Sequence, residues 1–151
     1  TIGRFKSECL TDYTYYVSKN YLKKFDYFVE RQKNEIFDFV ANSDVGGKPS
    51  IYFEIKRGSL NLNSYGKIRD LLNKYSNSII TRSGLLVIFY YAKDGRGIFE
   101  DFSDKTYRII EKDYDFLKDR VFIFPTSEYR SDISSGRITT YLNKVINNQN
   151  L

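Results

Sequence analysis

The sequence predicts an α/β protein with a mixed central sheet flanked by helices. Three strand-like segments follow one another closely in the first half of the chain, and helical and strand-like segments then alternate. The clearest single signal is the continuous apolar run over 84–92, which is typical of a central strand buried on both faces. We therefore expect an αβββαβ core followed by extra C-terminal elements.

The first half is expected to contain one helix and three strands. Apolar residues recur at helical spacing over 2–18, and residues 24–31 and 35–41 have the composition of two strands joined by a turn. Residues 51–57 are rich in β-branched and aromatic types, and glycines and a proline over 42–50 predict the loop before them. Because these connections are short, the three strands are expected to form an antiparallel meander.

The second half is expected to alternate helices with single strands. After the central strand, Asp94-Gly95-Arg96-Gly97 has the composition of a turn, and Pro125 is expected to end a short fifth strand. The predicted elements are, in order, a helix over 62–76, the strand over 84–92, a helix over 103–117, a strand over 121–124 and a helix over 134–147.

Composition narrows the chemistry that this chain can perform. The 151 residues include no histidine and one cysteine, Cys9. This excludes an internal disulfide, the usual zinc sites and every catalytic scheme that uses histidine as a base. A bound metal must have oxygen ligands, which favours Mg²⁺ or Mn²⁺. The general base must be a carboxylate, a lysine, a tyrosine or a metal-bound water.

Charge and hydropathy indicate the surroundings of the protein. The net charge of +5 favours an anionic partner such as nucleic acid, although many soluble proteins are basic without binding one. No apolar run approaches the roughly 20 residues that span a bilayer, so we expect no membrane association. A cytoplasmic location is expected if the partner is intracellular nucleic acid. The chain contains no Met. We expect residues 1–151 to form a single domain that belongs to, or is processed from, a longer chain.

The third predicted strand places an acid and a lysine on one face. Successive strand side chains point to opposite faces, so Glu54 and Lys56 share a face with Tyr52. This is the one acid-x-Lys tripeptide of the chain. The plain alternative is an exposed strand face on which two opposite charges compensate each other.

A second carboxylate, Asp38, lies in the preceding predicted strand. Its neighbours Phe37 and Phe39 are expected to share the other face, and a carboxylate among aromatic residues is costly unless it meets a cation. If the two strands pair as a hairpin, Asp38 approaches Glu54. Two carboxylates and the backbone carbonyl of Ile55 then offer hard oxygen ligands to a divalent ion.

Other interpretations of these charges stay open. Asp38 could instead pair with Arg31 or Lys33. Asp44 is a rival second carboxylate, but it lies in a glycine-rich loop where solvated acids are common, whereas Asp38 is expected within a strand. The helix predicted over 62–76 carries three basic residues that either line a groove for nucleic acid or form a solvated face: Lys67, Arg69 and Lys74. Arg57, at the end of the third strand, could likewise contact phosphate or simply be solvated.

The segment Phe37-Asp38-Phe39-Val40, followed by Ile51-Tyr52-Phe53-Glu54-Ile55-Lys56, resembles the PD-(D/E)XK nuclease superfamily, which has a restriction-endonuclease-like fold. The core of that fold is a helix, a three-strand meander, a helix and a further strand. The predicted elements follow the same order over residues 2 to about 92. Phe37 stands where the motif of the superfamily has a proline. Many members carry a glutamate on the first helix, and Glu8 occupies the matching place.

The resemblance implies a metal-dependent nuclease. Asp38 and Glu54 would hold Mg²⁺ or Mn²⁺, and Glu8 would assist directly or through water. Lys56 would orient or help deprotonate the attacking water and would stabilise the charge that develops on the phosphate. The leading expectation is a DNA endonuclease of a restriction or defence system. A homodimer is expected with it, because cutting both strands of a duplex needs two sites.

Two further functions are compatible with the same fold. One is an RNA-cleaving toxin domain of the tRNase type, since nothing in the sequence separates DNA from RNA as the substrate. The other is a catalytically inactive module that binds nucleic acid or a protein partner. An unrelated α/β interaction domain, in which the acids are incidental, is the plainest alternative.

Overall fold

A computed structural model describes residues 7–31, 37–58, 63–82, 84–92, 95–127 and 135–149. In these residues the chain forms five strands and four α-helices, in the order that the sequence predicts. The strands are β1 (Tyr27–Arg31), β2 (Phe39–Ser43), β3 (Ile51–Arg57), β4 (Leu85–Ala92) and β5 (Val121–Ser127). The helices are α1 (Ser7–Leu22), α2 (Tyr65–Arg82), α3 (Gly95–Asp113) and α4 (Ser135–Asn148), with short 3-10 helices at Lys23–Phe25 and Asp115–Leu117.

The five strands form one mixed sheet in the order β1-β2-β3-β4-β5. The first three strands pair antiparallel, which confirms the predicted meander, and β3, β4 and β5 run parallel to one another. The change of direction follows from the connections. Short loops join the meander strands, whereas α2 and α3 carry the chain back so that the next strand runs parallel. The predicted mixed sheet flanked by helices is therefore confirmed.

Helices cover both faces of the sheet and enclose two apolar cores. On one face α2 and α3 pack over side chains such as Tyr52, Ile88 and Tyr90. On the other face α1 and α4 pack over side chains that include Phe53 and Phe89. β4 contributes alternate residues to both cores, which confirms that it is buried on both sides. None of the helices in the described residues is long and apolar enough to cross a bilayer.

Pro125 does not end the fifth strand, as the sequence predicts, but lies within β5. The carbonyl of Arg120 accepts a hydrogen bond from the Leu86 amide of β4, so alternate residues from 120 onward direct their backbone groups toward β4. Pro125 belongs to the residues in between, whose backbone groups face the open edge of the sheet. There the missing N–H removes no hydrogen bond between strands, which is why proline is tolerated.

The turn predicted at residues 94–97 is also wrong, because α3 begins at Gly95. Ile98 and Phe99 pack against the core under this helix, and that burial outweighs the poor helix propensity of the two glycines. At the start of the chain, the helix predicted over 2–18 extends to Leu22. Its first residues and the predicted turn after residue 31 lie outside the described residues.

Gly84 leaves room for the ring of Tyr52, which shares one face of β3 with Glu54. A Cβ atom added to Gly84 would lie 2.4 Å from a Tyr52 ring carbon and 3.2 Å from the Ser50 carbonyl oxygen. Gly84→Ala is expected to lower the free energy of unfolding by about 1–3 kcal/mol through overpacking. For a chain of this size each kcal/mol corresponds to roughly 2–4 °C in Tm.

Thermal denaturation followed by circular dichroism checks this prediction. Gly46→Ala is the matched control, because a Cβ atom at Gly46 meets nothing within 4 Å, and its Tm is expected to stay near that of the wild type. Equal melting temperatures for the two variants would contradict the tight approach of Gly84 to Tyr52.

Candidate active site

Glu54 is a buried acid near the middle of the sheet. It lies on β3 with Tyr52 and Lys56 on one face, and Ile51, Phe53 and Ile55 face the opposite core, as the sequence predicts. The covering helices leave Glu54 only 7% exposed. Its Oε1 lies 3.3 Å from the Lys56 Nζ, whereas its Oε2 has no hydrogen-bond partner among the described residues. The pair is therefore not the exposed, self-compensating pair of the plain interpretation.

Asp38 lies immediately before β2 and is held against β3. Its backbone amide donates to the Phe53 carbonyl at 3.1 Å, and its Oδ2 accepts a hydrogen bond from the Ile55 amide at 2.7 Å. The side chain thus takes the place of a strand-to-strand hydrogen bond where the pairing of β2 with β3 ends. This contact brings Asp38 beside Glu54, as the hairpin hypothesis requires.

Two details of the predicted second strand are wrong. Asp38 was expected within the strand, but residues 37–38 form a bend and β2 begins at Phe39. Phe37 and Phe39 were expected to share one face. Instead Phe37 packs in the core under α2 and Phe39 packs in the opposite core, because the bend interrupts the strand alternation.

Burial and the neighbouring Asp38 carboxylate both raise the pKa of Glu54 above its ordinary value of 4.5. The Tyr75 hydroxyl and the Lys56 ammonium act in the opposite direction, but burial and Asp38 prevail. An ionised Glu54 is thus costly in the isolated protein, because one ammonium contact does not replace the water that the carboxylate loses.

Tyr75 of α2 is the residue of this site that sequence reasoning does not identify. In the sequence it belongs to the apolar stripe of a helix, and such a stripe indicates only a core position. The structure buries it completely, with its ring stacked on Phe37 at a centroid distance of 4.6 Å. Its hydroxyl is close enough to Glu54 to influence the pKa of that carboxyl, yet it does not reach hydrogen-bonding geometry with any described residue.

Tyr75 stays protonated at neutral pH, so its hydroxyl can donate a hydrogen bond. Burial, followed by the negative charge of Glu54, raises the pKa of Tyr75 far above the ordinary tyrosine value. The hydroxyl therefore keeps its proton, which excludes Tyr75 as a general base. The bases that remain at this site are the carboxylates, Lys56 and water bound to a metal.

Two rival explanations of the acids, Asp44 as the second carboxylate and a pair between Asp38 and Arg31, do not fit the structure. Asp44 is exposed and follows the far end of β2, so a five-residue strand, roughly 17 Å long, separates it from Asp38. Arg31 pairs with Asp12 of α1. Lys33 lies outside the described residues.

The metal ligands predicted from the sequence are placed only in part. Among the described residues no group of three or more acid, histidine or cysteine side chains is poised to hold a metal. Asp38 and Glu54 form a pair. The Ile55 carbonyl faces the same edge of β3 as its amide, which contacts Asp38, and its role as a ligand stays a prediction. Glu8 lies on α1, but its side chain is outside the described part of the chain.

The basic residues of α2 separate into different environments. Arg69 pairs with Asp113 at 2.6 Å, and the Lys74 Nζ lies 5.8 Å from the centre of the Tyr75 ring. Lys67 instead lines a small recess together with Lys56. Of the three basic residues considered on this helix, we therefore place Lys67 at the candidate site.

Comparisons with models of known protein families, with curated proteins and with solved structures found no match. What the site does is therefore inferred from its own geometry. A buried, partly unpartnered carboxylate beside a second carboxylate and an ammonium can hold a hard cation and stabilise an anionic transition state.

Proposed function

We propose that this chain is a nuclease that uses Mg²⁺ or Mn²⁺ to hydrolyse phosphodiester bonds, with DNA as the favoured substrate. The observation that carries the proposal is the buried Oε2 of Glu54, which has no partner among the described residues and lies beside Asp38. Such an oxygen costs free energy unless the carboxyl group is protonated or meets a cation. A divalent ion held by Glu54 and Asp38 would remove this cost.

The residues present fit a cation that prefers oxygen ligands. Glu54 offers its Oε2, and Asp38 offers its Oδ1, because its Oδ2 is held by the Ile55 amide. The Ile55 carbonyl and the Glu8 carboxylate complete the proposed ligand set. When bound, the ion polarises the scissile phosphate and neutralises the charge that develops on it.

Lys56 and Tyr75 have separate roles in this proposal. Lys56 is 24% exposed in its side chain, so its ammonium can meet a substrate phosphate while it contacts Glu54. It would orient the attacking water and stabilise the developing negative charge. Tyr75 would position the Glu54 carboxylate, because its hydroxyl lies close enough to lower the pKa of that carboxyl. It is a positioning residue, because it is fully buried and has no route to the substrate.

The order of the first elements supports the same proposal. From α1 to β4 the elements follow the order helix, three-strand meander, helix and strand that the resemblance to PD-(D/E)XK nucleases implies. The proposed setting is a DNA endonuclease of a restriction or defence system. It would act as a homodimer on nucleic acid in the cytoplasm.

Cleavage of plasmid DNA and of total RNA tests this proposal. Each substrate is incubated with Mg²⁺ or Mn²⁺ and, as the control, with EDTA. We expect metal-dependent cleavage of the plasmid. Asp38→Asn keeps an oxygen that can accept the Ile55 hydrogen bond but removes the charge, and we expect it to lower the rate roughly 100-fold or more.

The outcomes separate the candidate functions. Cleavage of RNA without cleavage of DNA would replace the DNA endonuclease with an RNA-cleaving enzyme at the same site. Absence of cleavage of either substrate, together with absence of Mg²⁺ and Mn²⁺ binding in calorimetry, would overturn the nuclease. Circular dichroism of Asp38→Asn checks that the variant is folded.

A further inference from the structure

A small recess opens beside Lys56, where β3 and β4 meet the first turns of α2 and one side chain of α3. Lys56 and Lys67 line it, and its remaining wall is apolar, formed by Ile68, Leu71, Tyr90 and Phe102. Its volume is about 30 Å³. A water molecule needs roughly 10–15 Å³ by the same kind of measure, so the recess admits an oxygen-sized atom but not a whole phosphate or a base.

Of the described residues that line the recess, two are lysines and none is acidic. Lys56 already contacts Glu54, but among the described residues no carboxylate lies within ion-pair distance of Lys67. Lys105, a lysine of α3 near the start of α2, differs in this respect. It contacts Asp101 at 3.2 Å and the Asn63 carbonyl at 3.1 Å. An apolar wall also strengthens the attraction between the two ammonium groups and an anion, because it lowers the local dielectric constant.

From this geometry we infer that Lys67 is a second phosphate-binding residue, and that the recess receives one non-bridging oxygen of the bound nucleic-acid backbone. The inference rests on the proposed function for the identity of the ligand. Lys56 and Lys67 then hold the strand from two sides, and the phosphodiester is held over the carboxylate pair. Lys67 contributes to binding, whereas Lys56 also acts in the chemical step.

Two measurements on the same variants test this inference. The first is the affinity for a fluorescein-labelled DNA duplex in EDTA, followed by fluorescence anisotropy over a series of KCl concentrations. The second is the kcat and KM of plasmid cleavage with Mg²⁺. The variants are Lys67→Ala, Lys67→Arg and the control Lys144→Ala. Lys144 is an exposed lysine on α4, so the control removes one charge on the opposite side of the sheet.

Lys67→Ala is expected to raise the Kd and the KM roughly three- to tenfold and to reduce the salt slope of binding by about 1. Its kcat is expected to change less than its KM. Lys67→Arg keeps the positive charge and is expected to retain most of the affinity. Lys144→Ala is expected to leave the salt slope and the KM near the wild-type values.

The inference and the proposed function fail in different ways. If the wild type cleaves DNA and Lys67→Ala matches Lys144→Ala in Kd, KM and salt slope, Lys67 does not bind phosphate and the nuclease stands. If the wild type binds DNA without cleaving it and Lys67→Ala weakens that binding, phosphate binding by Lys67 is supported and the catalytic proposal fails. If the wild type neither binds nor cleaves, both are overturned.

Discussion

Glu54→Gln is expected to abolish metal-dependent cleavage and, at the same time, to make the metal-free protein more stable at neutral pH. Glutamine has nearly the shape of glutamate but carries no charge to hold a cation. It also replaces a buried carboxylate, whose Oε2 has no hydrogen-bond partner among the described residues, with a neutral amide that costs less to keep away from water. Loss of this buried charge is expected to raise the free energy of unfolding by about 1–3 kcal/mol.

The pH dependence of this stabilisation follows from the pKa of Glu54. Burial and Asp38 raise the pKa above 4.5, so the folded protein binds the proton more tightly than the unfolded chain does. The stability that protonated Glu54 provides is fully present below pH 4.5, and it is lost as the pH rises through the pKa of Glu54 in the folded protein. Glu54→Gln has no such loss, so its advantage over the wild type is expected to grow with pH across this window.

Thermal denaturation in EDTA, repeated over a pH series, measures this difference directly. Addition of Mg²⁺ at neutral pH is expected to raise the Tm of the wild type and to have little effect on Glu54→Gln, because ligand binding stabilises only a fold that contains the site. A lower Tm for Glu54→Gln than for the wild type in EDTA at neutral pH would show that Glu54 is satisfied without a metal.

Lys56→Ala is expected to lower kcat by about 100- to 1000-fold, the range observed when a single group that stabilises transition-state charge is removed. The Lys56 ammonium lies 3.3 Å from Glu54 and remains accessible to substrate, whereas alanine leaves the developing charge on the phosphate without this partner. Single-turnover cleavage, with the protein in excess over the DNA, isolates this step from product release. Lys144→Ala again controls for the loss of one positive charge.

Lys56→Arg tests whether a positive charge at this position is enough for cleavage. Arginine keeps the charge but places it on a planar group with a different reach, so partial activity between those of the wild type and Lys56→Ala is expected. Cleavage by Lys56→Ala within about threefold of the wild-type rate would remove Lys56 from the chemical step. In that case its contact with Glu54 would serve only to balance charge.

Local periodicity is the reason that the architecture could be predicted. The third strand was predicted at 51–57, and β3 has the same bounds, because its residues alternate between two faces and all favour extended backbone. The same alternation placed Glu54 and Lys56 on one face before any tertiary contact was known. The continuous apolar run of β4 likewise required cover on both sides, and the helices supply it.

Other features depend on residues that are distant in sequence. The position of Pro125 on the open edge of the sheet depends on which strands lie beside β5, and periodicity carries no such information. The bend at residues 37–38, which moves Phe37 to the same core as Tyr75, likewise comes from long-range packing.

For the candidate site, the sequence alone determined the types of residue and the shared face: two acids and one lysine, with oxygen the only plausible ligand for a metal. Tertiary structure decided how costly those charges are. α2 covers the face of β3 that carries Glu54, brings the Tyr75 hydroxyl near it and leaves its Oε2 unpartnered among the described residues. The physical reason is that the free energy of a charge depends on the water and dipoles around it, and distant segments supply that environment only once the chain has folded.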